Sequence, residues 1–97
     1  MKVIFTLRAE RDLLAVGDYI AQDNPHRAKT FLLELRAQCL GLADFPERFP
    51  LMERYAAYQV RRRVHGRYLI LYRIEQDAVR ILNIVHGASD PETWIGG

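Results

Sequence analysis

Two stretches of helical apolar spacing, parted by little more than Asp23-Asn24-Pro25, limit this chain more than any other feature. From Arg8 to about Ala21, Leu13, Val16, Gly17 and Ile20 fall on one face, with Glu10, Arg11 and Asp18 on the other. From Pro25 to about Ala43, the stripe Ala28, Phe31, Leu32, Leu35, Cys39 and Leu42 keeps the spacing i, i+3, i+4, i+7. Asn24 can cap the second helix, and Pro25 fits its first turn. With so short a break, the two helices are expected to form an antiparallel hairpin. Gly17 lies on the apolar stripe, where it costs about 1 kcal/mol against alanine. A close helix–helix approach there is the compensation we expect.

A hairpin with one apolar face needs a second layer, and the remaining residues supply it. Val3 to Leu7 reads as a first strand. Tyr58–Val64, Arg67–Ile74 and Ala78–Val85 read as three more, with His65-Gly66 and Glu75-Gln76-Asp77 between them at hairpin lengths. Asp44 to Ala57, broken by Pro46 and Pro50, reads as a packed connector. The predicted fold is α+β in the order β-α-α-β-β-β: an N-terminal strand, a two-helix hairpin, and a three-stranded antiparallel meander. The helices are expected on one sheet face. The whole chain, residues 1–97, is then one domain, with 88–97 a polar C-terminal tail that carries Trp94 and a glycine end expected to fray. The composition, 49% hydrophobic and 27% charged, is that of a folded protein. So short a chain buries only about 60–65% of its unfolded surface, enough for one shared core but not for a lid or an enclosed cofactor cavity.

Several chemistries are poorly provided for. The lone Cys39 rules out an internal disulfide and reads as a small buried apolar residue. His26, His65 and His86 fall in three segments without paired spacing, so no metal is expected. No glycine-rich phosphate loop, nucleophile elbow or Cys–His pairing occurs, and no cofactor is expected. Glu75 and Asp77 read as solvated turn formers. His86, ending the last strand before Gly87, is either a hydrogen-bonded structural histidine or a functional imidazole. The N-terminus has too short an apolar run for a signal peptide, and no run approaches the roughly 20 residues of a membrane span. A cytoplasmic protein with no membrane contact is expected.

The charge is polarised. Six arginines and no acid lie between Arg54 and Arg73, which leaves the rest of the +2 chain at −4. Arg61 and Arg63 should share one sheet face, with Arg62 on the other beside Val60 and Val64. They form either an anion-recognition ridge, for phosphate or a partner's carboxylates, or a solvated outer face. The twelve arginines against two lysines fit interface recognition, or simply genome composition. Phe45, Phe49, Leu51, Met52, Tyr55, Tyr58 and Trp94 exceed what two helices and one sheet readily hide. That surplus suits a peptide or helical partner.

The residues also carry a resemblance. The run Ala9-Glu10-Arg11-Asp12-Leu13, then Tyr19-Ile20, Asn24-Pro25-His26-Arg27-Ala28, Phe31, Leu35, and Leu42 with Pro46 are similar to the ParE toxins of the RelE/ParE superfamily. So are Tyr68-Leu69-Ile70-Leu71-Tyr72 and the ending Ile81 to Asp90. The resemblance implies a toxin of a type II toxin–antitoxin system, associated with plasmid stabilisation, that inhibits DNA gyrase without hydrolysis and is not itself an enzyme. It implies a hetero-oligomer with a ParD-type antitoxin, and no direct sequence-specific binding of nucleic acid. The alternative within the superfamily is a ribosome-dependent messenger RNA endonuclease of the RelE type. RelE members use lysines and arginines on the sheet, but here no lysine falls in the predicted strands. Leu69 stands where they place an arginine. Ala88-Ser89 occupies another position where both branches often carry one. No catalytic residue is therefore carried over. The resemblance and the charge together place target contacts at Arg61, Arg62, Arg63, His86, Asp90 and Trp94, and antitoxin contacts at Leu14, Phe31, Leu35, Tyr55 and Tyr58.

Overall fold

Thr6 ends the first strand and starts the first helix in a single residue. Its backbone is extended (φ −69°, ψ 162°), and its hydroxyl oxygen accepts the Ala9 N–H at 3.0 Å, satisfying one of the orphan donors of the helix start. The same hydroxyl donates to the Leu82 carbonyl 76 residues away, at 2.7 Å. The computed structural model describes residues 1–95. Its elements are β1 (Lys2–Phe5), α1 (Leu7–Ala21), α2 (Pro25–Leu40), β2 (Arg61–His65), β3 (Tyr68–Ile74) and β4 (Ala78–His86). Asn24 caps α2 by accepting the Arg27 N–H at 3.0 Å, and Pro25 occupies the first turn, as its sequence implied.

The sheet order is β1-β4-β3-β2. β1 runs parallel to β4, and the other pairs are antiparallel. The hairpin packs on one face as expected. Leu13, Val16, Phe31, Leu35, Cys39 and Leu42 meet Ile70, Tyr72, Val79 and Ile81 there. The close approach predicted at Gly17 is present: a β-carbon added there would lie 2.7 Å from Leu32 Cδ1.

One residue of β4 breaks the alternation. Leu71 pairs with Asn83 but Tyr72 with Ile81, so Leu82 is an extra residue opposite β3. Such a bulge turns two successive side chains to the same face. Ile81 and Ile84 therefore serve the core under the helices, while Leu82 and Val85 serve a second apolar cluster on the opposite face. Asp12 holds the bulge from α1, its Oδ2 accepting the Ile84 N–H at 2.9 Å.

One boundary moves, and two readings gain detail. The second strand begins at Arg61, not Tyr58, because Gln59 is left-handed (φ 60°) and Glu53–Tyr58 forms 3-10 turns. The tail is folded over its described length. Asp90 caps a 3-10 turn at Pro91–Thr93, and Trp94, only 6% exposed, fills the second cluster with Tyr55, Val60, Leu69 and Leu71. The glycine end, residues 96–97, lies outside the described residues. The apolar surplus divides: Tyr55 and Trp94 are buried, while Phe45 and Tyr58 are exposed.

Cys39 is fully buried, and burial pushes its thiol up to about 12. The unfolded thiol ionises near 8.5, so folding stability attributable to Cys39 is intact below that pH and falls as pH rises above it, by about 1.4 kcal/mol per unit. Cys39 should be inert to a thiol reagent such as dithionitrobenzoate at pH 8 and react fully once urea unfolds the chain. Rapid labelling of the native protein would contradict the burial.

Candidate functional site

β2 carries the arginine run, and its pleat splits the three side chains as the sequence predicted. The two on the helix side are tied to main chain. Arg61 Nη1 donates to the carbonyls of Phe49 at 2.7 Å and Glu47 at 3.1 Å. Arg63 Nη1 donates to the Gln38 carbonyl in the last turn of α2 at 3.1 Å, and its guanidinium lies 4.8 Å over the Phe49 ring. Burial first, and the neighbouring Arg48 charge second, hold Arg63 below the usual guanidinium range. Arg62 alone stands exposed, on the opposite face beside the exposed Val64. As an anion ridge, the run therefore offers one cation, Arg62, without a partner among the described residues.

The tail residues are anchors. Trp94 donates its indole N–H to Ser89 Oγ at 2.7 Å. Ser89 Oγ donates in turn to the His86 carbonyl at 2.6 Å. Asn83 Nδ2 donates to the Trp94 carbonyl at 2.6 Å from a position 1% exposed, and the Tyr55 hydroxyl donates to the Pro91 carbonyl. Asp90 spends Oδ1 on the Glu92 N–H at 3.0 Å. Trp94 thus cannot present its ring to a partner, contrary to the sequence expectation, because it is the plug of the second cluster.

His86 ends β4 on the helix side. Its Nδ1 accepts the Ala88 N–H at 3.1 Å, which commits the ring proton to Nε2. The ring meets Tyr68 edge-on at 5.2 Å. Around it lies a shallow cleft of about 440 Å³, walled by Tyr19, Tyr68, Ala88 and Ser89. Burial chiefly, and the nearby Tyr19 phenol next, raise Tyr68 above the ordinary tyrosine value. Across the hairpin, Glu34 accepts two hydrogen bonds from Arg27, at 2.6 and 3.3 Å, and lies 3.3 Å from His65 Nε2. The Arg27 hydrogen bonds hold the Glu34 carboxyl below its ordinary range. Among the described residues, no group of three or more His, Cys, Asp or Glu could hold a metal ion, and no helix is long and apolar enough to cross a membrane.

The expected antitoxin contacts separate by depth. Leu14 and Tyr58 are well exposed, at 67% and 61%. Phe31, Leu35 and Tyr55 are core residues, which corrects their assignment to a surface. The exposed partner of Leu14 is a residue the sequence reading missed, Leu33, 64% exposed on α2. Together they border a groove of about 280 Å³ along the outer side of the hairpin, floored by Leu13 and Leu32 and rimmed by Lys29 and Arg36. Arg36 pairs with Glu10 across it at 3.3 Å. A signal existed in the sequence: Leu7 and Leu14, and Leu33 and Leu40, are spaced by seven, and all four are exposed.

Known proteins place this geometry. The family described as the ParE toxin of the type II toxin–antitoxin system parDE matches residues 3–91. Toxin RelE2 of Caulobacter vibrioides is 36% identical over 87 residues, covering 90% of this chain and 96% of that protein. Among solved structures, the chromosomal ParDE system of P. aeruginosa shares the fold, with a TM-score of 0.73 at 20% identity over 89% of this chain and 95% of that one. A chain of the RelBE2 toxin–antitoxin complex of Mycobacterium tuberculosis has a TM-score of 0.65 and 29% identity, over 91% and 92% of the two chains.

Truncating Trp94 to alanine empties the second cluster and removes the Ser89 contact. Such a core deletion is expected to cost about 3 kcal/mol or more, measured as a lower urea midpoint with an unchanged slope. A loss under about 0.5 kcal/mol, the scale of a surface substitution, would return the tail to the solvent-exposed picture.

Proposed function

Since the chain belongs to the ParE toxin family of type II toxin–antitoxin systems, we propose that it poisons DNA gyrase without hydrolysing anything and that a ParD-type antitoxin neutralises it in the cytoplasm. The observation that carries this reading is the commitment of Arg61 and Arg63 to main-chain carbonyls. Cutting RNA by attack of a 2′-hydroxyl needs a base, an acid and cations gathered round one phosphate. In this sheet, the arginines best placed to supply cations are structural clamps. The exposed leucines of the hairpin and the exposed Tyr58 are features of a binding surface.

For the antitoxin, the leucine groove on the hairpin is the surface we propose, with Leu14 and Leu33 as anchors and Lys29 beside them to meet acidic residues. Tyr58 and Arg62 extend the exposed surface elsewhere on the molecule. The target contacts proposed are Arg62, His86 and Asp90, with Trp94 holding the tail that carries Asp90. Two observations favour the ribonuclease reading as the alternative. One is the imidazole of His86 in an open cleft beside Tyr68, and the other is the relative named RelE2.

Purified gyrase with this protein added should lose supercoiling activity and accumulate linear cleaved DNA, with His86→Ala reducing but not abolishing the effect. No effect from excess protein that demonstrably binds its antitoxin would reject gyrase. Messenger RNA cleavage in a translation extract, abolished by His86→Ala, would then establish the alternative. Separately, Leu14→Asp and Leu33→Asp should each weaken antitoxin binding by about 10-fold or more, the size expected of an interface anchor. Unchanged affinity in both would remove the antitoxin from this groove.

A further inference from the structure

The His86 cleft continues into a second hollow of about 340 Å³ that shares Tyr19, Tyr68 and His86 and adds Arg27, Phe31 and Arg67. Three properties of this joined depression are not explained by folding. The first is an aromatic row: His65 to Phe31 at 5.3 Å, Phe31 to Tyr68 at 5.6 Å, and Tyr68 to His86 at 5.2 Å. At its rim stands Tyr19, 66% exposed. A large ring left mostly in water beside other rings is a platform with one side vacant.

The second property is charge. Arg27 is neutralised by Glu34 and lies 5.1 Å over the Phe31 ring. The guanidinium of Arg67, exposed on the turn into β3, has no hydrogen-bond or ion-pair partner among the described residues. No carboxylate lines either hollow among the described residues. Beside the free guanidinium, the His86 Nε2–H is left as a donor by the Nδ1 bond to Ala88.

The third property is that the backbone beneath is held tightly. Gly66 is left-handed (φ 59°), and a β-carbon there would lie 3.6 Å from the Phe31 ring. Gly87 N–H donates to the Arg67 carbonyl at 2.8 Å. The rings therefore sit on fixed main chain and need little ordering to engage a ligand, whereas the exposed Arg67 side chain gives up rotamer freedom when it does.

Flat π-faces beside an unpaired cation, with no carboxylate in the described lining and Glu34 engaged by Arg27, match a ligand that carries a planar ring and a phosphate together. We propose that this depression binds a nucleotide unit, its base stacked on Tyr19 and Tyr68 and its phosphate held by Arg67. An acidic peptide would satisfy Arg67 but leave the ring faces unmatched. Stacking on open aromatic faces discriminates little between bases, so the binding is sequence-neutral. The inference shares His86 and Tyr68 with the ribonuclease alternative, but its test involves neither gyrase nor the ribosome.

The test is fluorescence anisotropy with the full chain and a labelled oligothymidylate of about ten nucleotides, within the usual site size of a single-strand groove. Saturable binding is expected. Tyr19→Ala should weaken it roughly 10-fold while Tyr19→Phe preserves it, because stacking needs the ring and not the hydroxyl. Arg67→Ala should weaken it and lower the salt dependence by about one unit of slope. Arg11→Ala, exposed about two turns away from Tyr19 towards the start of α1, should change nothing. A proton–nitrogen NMR spectrum of each variant confirms that it remains folded. Competition by thymidine monophosphate would identify a free nucleotide as the ligand, and competition by unlabelled strand alone would identify single-stranded nucleic acid. Either outcome supports the site. The proposal is overturned if there is no saturable binding, or if binding is equally strong with Tyr19→Ala and Arg67→Ala.

Discussion

The fold depends on how α1 closes the open half of β4. The parallel pairing of β1 with β4 ends at Phe5 opposite Ile81, so the following main-chain groups of β4 lose their strand neighbour. The helix start takes over. Thr6 N–H donates to the Ile81 carbonyl at 3.1 Å, the Thr6 hydroxyl donates to the Leu82 carbonyl, and Asp12 accepts the Ile84 N–H. These three bonds, to Ile81, Leu82 and Ile84, fix both the height of the helix layer and the position of the bulge. A one-residue slip would leave a buried donor unpaired and reverse every side chain beyond it.

That bulge also decides what the far end of the sheet can do. Before it, odd-numbered residues of β4 face the helices. After it, Ile84 and His86 do. Without the extra residue, His86 would point to the opposite face, away from Tyr19. Asn83 would leave the buried position from which it holds the Trp94 carbonyl. The aromatic cleft on one face and the folded tail on the other are thus two consequences of one irregularity.

Element order was legible in the sequence because it rests on local spacing: apolar stripes, the Asn24-Pro25 boundary and two short turns between apolar runs. The stripe also marked Phe31 and Leu35 as core, and reading them as a docking surface went against that evidence. The roles of Arg61, Arg63 and Trp94 were not legible for a different reason. Their partners are main-chain carbonyls and a cluster assembled from the connector, two strands and the tail, and a carbonyl leaves no mark on residue identity. An arginine written beside two others looks the same in sequence whether it clamps a loop or waits for a phosphate. The depression around Arg67 was hidden likewise, since Tyr19, Tyr68 and His86 come from three elements that meet only in space.

The two proposed surfaces share α2 but not a face of it. Lys29 and Leu33 border the leucine groove, whereas Arg27 and Phe31 border the aromatic hollow. Residues two apart on a helix point about 200° away from each other, so the two sets look out on opposite sides of α2. A partner that only fills the groove would leave Tyr19 and Arg67 open. Covering both needs a partner that wraps round the hairpin, and it needs no conformational change in the toxin. This arrangement suits a domain whose layers are pinned by hydrogen bonds from Thr6 and Asp12. Such a body has little freedom to switch shape, and control by covering asks nothing of it but a surface.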